Sequence, residues 1–307
     1  MREVVAVRRL LALLAALFIG CSFPALAEAV EYVENEWNYV DGSMDVSGGI
    51  PENAQGTLAS IRDAGVLRVA TNADYPPQEF IDPAQTGQAQ YIGSDMELAR
   101  AIAERMGVTL EIVHMDFNQV LDAVAEGDCD LAISGLAFTP ERSERVELSK
   151  GYHFTDAGDM CGFVVRADEV GDYPDLASLA GKDIAAQGSS LQETIVAQNV
   201  NNYHEFRRLG SIQAVYAAVA EGKSDLGAVD LETVQSYIES NPDCGLALLD
   251  GLRFSLEPQF EGDRIAAKKG ELQLMYFVNG VIDQLLATNQ YRQWFDQYDA
   301  IAREMGY

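Results

Sequence analysis

The run Phe138-Thr139-Pro140-Glu141-Arg142 places a cation where a helix tolerates one least. Thr is a good N-cap, since its hydroxyl can accept from an unpaired first-turn N–H. Pro suits the first helical position, where a missing N–H costs nothing. Thr139 and Pro140 therefore predict a helix start with Arg142 in its first turn. Free N–H groups and the macrodipole already make that end positive. An anion bound there would meet both those N–H groups and a planar guanidinium fork matched to a carboxylate. The plainer alternative is a surface arginine paired with Glu141 or Glu144. Asp230 offers the opposite chemistry. It ends the apolar run Leu-Gly-Ala-Val-Asp, where a carboxylate suits a cationic amine or simply caps the helix that follows. An anion-seeking Arg and a cation-seeking Asp together describe a zwitterion site, and an α-amino acid is the smallest common molecule that fits.

Three further groups join this list. Gly188-Ser189-Ser190 opens a predicted helix, and its hydroxyls and N–H groups can meet a carboxylate or merely cap the helix. No Lys follows them, so they are not a phosphate loop. Tyr75 and Phe117 lie in loops after predicted strands, where an aromatic ring either clamps a ligand side chain or packs into a core. His114, His153 and His204 are scattered and no Cys/His cluster exists, so neither a metal site nor a cofactor is expected.

The elements that must position these residues are written twice. Val120–Leu131 reads VLDAVAEGDCDL and Val215–Leu226 reads VYAAVAEGKSDL, 95 positions later. Each copy predicts an amphipathic helix, a Gly stop (Gly127, Gly222) and a short apolar strand. Two copies at so long a period make two similar α/β lobes rather than a solenoid. Gly135 and Asp230 then occupy equivalent strand ends, the edge at which open α/β sheets bind ligands. Strands are also expected at Val66–Thr71, Thr109–Val113, Gly162–Arg166, Lys182–Gln187 and Arg264–Lys268. Helices are expected at Ser94–Met106, with Ser94 as its cap, and at Glu271–Ala287 and Gln290–Ala302.

The 307 residues carry a net charge of −27, which argues against nucleic-acid binding and favours solubility. Arg2, Arg8 and Arg9 precede an uncharged apolar run and Ala25-Leu26-Ala27, the pattern of a secretory signal peptide over residues 1–27. Cys21 follows Phe18-Ile19-Gly20, a lipoprotein-like box that leaves a lipid anchor open. The chain is expected to be exported to a periplasmic or extracellular space. After cleavage three cysteines remain, Cys129, Cys161 and Cys244, and the sequence chooses no pair. Residues 28–60 form an acidic arm, expected to be poorly ordered as far as about Gln55.

These segments resemble the family 3 periplasmic solute-binding proteins of ABC transporters, the polar amino-acid type. The marks are Arg68 to Pro77 (RVATNADYPP), Gly93-Ser94-Asp95, Asp130 to Arg142 (DLAISGLAFTPER), Gly188-Ser189-Ser190, Asp225 to Asp230 and Ile265 to Lys269. The resemblance implies a two-lobed periplasmic-binding-protein-like (type II) fold. Each lobe would be a mostly parallel sheet flanked by helices, with a hinge between residues 61–160 plus 256–307 and residues 161–255. It implies a monomer that binds a polar α-amino acid between the lobes and delivers it to an ABC permease in the inner membrane. It assigns the ligand carboxylate to Arg142, the Ala137 N–H and Ser190. It assigns the α-amine to Asp230 and the Gly135 carbonyl, and further contacts to Asn72, Tyr75, Phe117 and Ser134. Ala137, Gln78 and Asn72 depart from the usual residues, and Asn72 weakens a cationic-ligand reading. The alternative on the same fold is an enzyme resembling cyclohexadienyl dehydratase, but no catalytic constellation is legible.

Overall fold

The computed structural model describes residues 39–154, 161–255 and 262–307. The leader, its cleavage site and Cys21 lie outside them. The strands are β1 (Val66–Thr71), β2 (Phe80–Ile81), β3 (Tyr91–Ile92), β4 (Thr109–His114), β5 (Leu131–Ala132) and β6 (Val146–Leu148). They continue as β7 (Cys161–Arg166), β8 (Asp183–Gln187), β9 (Glu205–Leu209), β10 (Leu226–Asp230), β11 (Leu246–Phe254) and β12 (Ala266–Lys268). The helices are α1 (Gly56–Ala64), α2 (Ser94–Met106), α3 (Phe117–Glu126), α4 (Pro140–Arg145) and α5 (Leu191–Asn199). They continue as α6 (Ile212–Ala220), α7 (Leu231–Ser240), α8 (Leu272–Ala287) and α9 (Gln290–Met305).

Two five-stranded sheets result, ordered β4-β1-β5-β12-β6 and β11-β7-β10-β8-β9. In the first, β1 runs parallel to β4 and β5, while β12 is antiparallel to both β5 and β6. In the second, β8 runs parallel to β9 and β10, while β7 is antiparallel to both β10 and β11. Each sheet is thus parallel except for one reversed strand. Those strands, β7 and β12, are where the chain enters the second sheet and where it returns to the first.

Both faces of each sheet are covered, as strand alternation requires of apolar runs. Leu67 and Val69 face one core with Leu98, Ile102 and Phe277, while Ala70 faces another with Val120, Leu121 and Val124. Phe163 and Val165 sit with Ile184 and Ala228, whereas Val164 and Ala185 sit with Val215 and Val219. The repeated motif builds the same piece in both sheets. Gly127 and Gly222 take left-handed backbone after α3 and α6. Asp130 accepts the Arg68 N–H and Asp225 accepts the Asp183 N–H, each at 2.8 Å, tying its loop to a neighbouring strand.

Two expectations need correction. Ser94 does not cap α2: the cap position is Gly93, and the Ser94 hydroxyl meets Tyr291 at 3.0 Å. The arm, expected to be loose as far as Gln55, is packed from Tyr39 onward. Val40 donates to Leu148 O at 2.8 Å, and Met44 donates to Tyr276 O at 3.0 Å. The Asn279 amide donates to the carbonyls of Val40 and Gly42. Val40 and Val46 are buried, and Tyr39 lies 4.0 Å from the Arg264 guanidinium. Apolar side chains spaced among acidic ones carry this strap, too sparsely to show a period.

Candidate ligand-binding site

Loops at the ends of the parallel strands converge from both sheets on one cavity. It is lined by Asp74, Tyr75, Phe117, Ser134, Gly135, Ala137 and Arg142 from the first half, with Asp263 from the returning segment. Gln187, Ser190, Leu191, Gln192 and Asp230 line it from the second. The centre of a water molecule can range over about 50 Å³ of it.

Arg142 is built as its sequence context implied. Thr139 caps α4, its Oγ1 accepting the Arg142 N–H at 3.1 Å, with Pro140 at the first helical position. The guanidinium is buried and donates from Nη1 to Ala137 O at 2.7 Å and from Nη2 to Ser189 O at 2.9 Å. The second bond crosses between the halves. Phe117, expected in a loop, is instead the first residue of α3, and its ring centroid lies 5.8 Å from the Arg142 Cζ. Burial pushes the Arg142 pKa down to about 10, so the group stays charged but lacks full solvation.

Asp230 lines the cavity and caps α7, its Oδ1 accepting the Thr233 N–H at 2.9 Å. Burial raises its pKa, while the Thr233 N–H and the nearby Tyr75 hydroxyl oppose the rise. Ser190 likewise caps α5, accepting the Glu193 N–H at 3.1 Å. The Glu193 carboxylate accepts the Ser189 N–H in return at 2.7 Å. Gly135 sits where glycine is favoured. Its φ is +52°, and a Cβ there would stand 3.3 Å from the Tyr75 ring. Its N–H donates to buried Asp95, while Ser134 donates to buried Glu79. Tyr75 reaches across to pack on the second sheet's core.

Asn72 is the expected residue that does not line the cavity. It stands one layer back, donating to Met115 O and accepting from Gln187 Nε2 at 2.8 Å. Sequence reasoning missed Asp74, Gln187 and Asp263. Gln187 ends a predicted strand, so the strand-end rule could have found it. Asp74 lay inside a loop noted for its aromatic and prolines. Asp263 precedes the predicted return strand and joins the site only through the fold. Its Oδ2 accepts from Gln78 Nε2 at 2.9 Å, so one of the departures from the usual family residues has a partner here. Burial and, next, the charge of Asp95 push the Asp263 carboxyl up to about 7. Burial pushes Asp74 up to about 7 as well, against a hydrogen bond from the Ile212 N–H. The cavity therefore sets one guanidinium among three carboxyls. Among the described residues no His, Cys, Asp and Glu group is arranged to hold a metal ion, and no helix is long and apolar enough to cross a membrane.

Known proteins agree with this architecture. The arginine-binding extracellular protein ArtP of Bacillus subtilis is 27% identical over 58% of this chain and 66% of its own length. The L-arginine-binding protein of Pseudomonas aeruginosa is 26% identical over 76% of this chain and 87% of its own. The crystal structure of the amino acid ABC transporter substrate-binding protein AbpA from Streptococcus pneumoniae Canada MDR_19A, bound to L-arginine, superposes with a TM-score of 0.69. It is 29% identical, covering 79% of this chain and 98% of that one. The family model for bacterial extracellular solute-binding proteins, family 3, matches residues 67–300, and with the paired sheets and shared cavity it makes this chain a member of that family.

Proposed function

We infer that this chain is the substrate-binding component of an ABC importer and that its ligand is a cationic α-amino acid of the arginine kind. The observation that carries the reading is the balance of ionisable groups lining the cavity: one base, Arg142, against three acids, Asp74, Asp230 and Asp263. One carboxylate on the ligand satisfies Arg142, and an α-amine satisfies Asp230. Two further acidic groups favour a second positive charge and leave an acidic side chain without a partner. The arginine-binding relatives support the same choice. It moves beyond the sequence reading, in which Asn72 weakened the case for a cationic ligand. The acid is present, but at positions 74 and 263.

Binding works by closure. A ligand that touches both Arg142 and Asp230 binds the closed arrangement better than the open one and shifts the population toward it. The protein acts as an exported monomer that hands its ligand to a membrane permease and releases it unchanged. Incubation with L-arginine that yields a new mass would overturn the last point. The ligand class is tested by a thermal-shift screen of the twenty amino acids. Ligand at about 100 times its dissociation constant adds roughly 2.7 kcal/mol, so a true ligand raises the melting temperature by several degrees. Stabilisation by acidic or small aliphatic amino acids alone would refute the reading.

A further inference from the structure

Asp74 belongs to both halves of the molecule. It follows β1 in the first half, yet its Oδ2 accepts the Ile212 N–H at 2.9 Å and its carbonyl accepts from Gln213 Nε2 at 2.9 Å. Ile212 is the first residue of α6, so Asp74 supplies an acceptor to a helix end whose N–H groups lack partners within the helix. The same carboxyl lines the cavity, and its Oδ1 is buried with no hydrogen-bond partner. Asp116 adds negative charge nearby, and Gln187, whose amide gives one of its two N–H donors to Asn72, lies close enough to Asp74 to favour its ionisation.

We propose that Asp74 reads the charge of the ligand's head group at Oδ1 and converts it, through Oδ2, into closure of the two halves. This rests on the cationic-ligand reading. A cation at Oδ1 holds the carboxyl ionised. An ionised acceptor at a helix N-terminus makes the stronger, charge-assisted bond to Ile212. A neutral head group of the same shape leaves a proton on Asp74 and a weaker bond across the cleft. Selectivity and closure are then one event at one residue, separate from the carboxylate anchor at Arg142.

L-Arginine and L-citrulline, equal in shape and different in charge, are the probes. They are titrated by calorimetry into the wild type, Asp74→Asn and Asp74→Ala, and closure is followed by small-angle scattering. An Asn can keep its oxygen on the Ile212 N–H, placing an NH₂ donor where Oδ1 was. The wild type should prefer arginine by about tenfold or more and compact further with it, while Asp74→Asn should lose that preference. Exchange of the Ile212 amide without ligand should accelerate about tenfold in Asp74→Ala and much less in Asp74→Asn. Retained arginine preference in Asp74→Asn overturns the head-group role, and unchanged Ile212 protection in Asp74→Ala overturns the latch. If the wild type binds no cationic amino acid, the functional reading falls and the head-group role with it. The amide-exchange result still decides the latch independently.

Discussion

Arg142→Ala separates what the guanidinium does for the ligand from what it does for the fold. The group is 6% exposed and gives hydrogen bonds to two carbonyls, Ala137 O and Ser189 O. A guanidinium has five N–H donors, so donors remain for a ligand carboxylate. Removing one partner of a buried, hydrogen-bonded charge pair costs about 2–5 kcal/mol of binding, or roughly 30- to 5,000-fold in Kd. Stability should respond differently. Burial holds the Arg142 pKa down to about 10, which means the fold incurs a cost for keeping the charge dry. Deleting it removes that cost while leaving two carbonyls short of a donor, and the terms oppose each other. The melting temperature without ligand should therefore move by only a few degrees, about 1 kcal/mol either way. Calorimetry with L-arginine, run beside unliganded melting, reads both numbers. Affinity within threefold of wild type would refute the anchor. Arg142→Lys should fall between, because an ammonium lacks the planar fork.

Asp263→Asn tests the buried acid. A carboxyl whose folded pKa is raised to about 7 binds more protons folded than unfolded between about pH 4 and 7, so its contribution to stability falls as pH rises through that window. The variant should melt like wild type near pH 4 and progressively above it toward pH 8, by ~1–4 kcal/mol at about 1.36 kcal/mol per pKa unit; no pH-dependent gap would refute the placement. Arginine binding near neutral pH should release protons, visible as a buffer-dependent calorimetric enthalpy, and a buffer-independent enthalpy would contradict it. Gly135→Ala should weaken binding through the Tyr75 ring and the left-handed backbone, at about 1–3 kcal/mol, and wild-type affinity would show that the ring is free to shift. Asn279→Leu should cost about 2–4 kcal/mol by orphaning the Val40 and Gly42 carbonyls and the Lys150 N–H, and should speed proteolysis of residues 39–55. Unaltered cleavage would mean the strap is held elsewhere.

Local chemistry was legible where a residue type has one job at one spacing. The repeat placed α3, α6 and the strands after them because a Gly stop and a 3.6-residue period leave few alternatives. Thr139-Pro140 fixed the start of α4, and Asp130 and Asp225 proved to be equivalent ties that the repeat had already paired. What stayed hidden depends on contacts between distant segments. Asp263 faces the cavity because β12 runs backwards through the first sheet. Asp74 is a site residue because α6 begins opposite it. Asn72 sits one layer behind because Gln187 fills the position in front. None of these relations leaves a period or a motif in the chain.

The strap has a mechanical meaning. Its attachments, to Phe138, Leu148, Tyr276, Asn279, Arg264 and Arg62, all lie in the first half of the molecule. A pull on the chain upstream of Tyr39 would be carried into the first sheet and its helices and would not load α6 or the Asp74 contact. A tether attached there would hold one jaw still and leave the other free to swing.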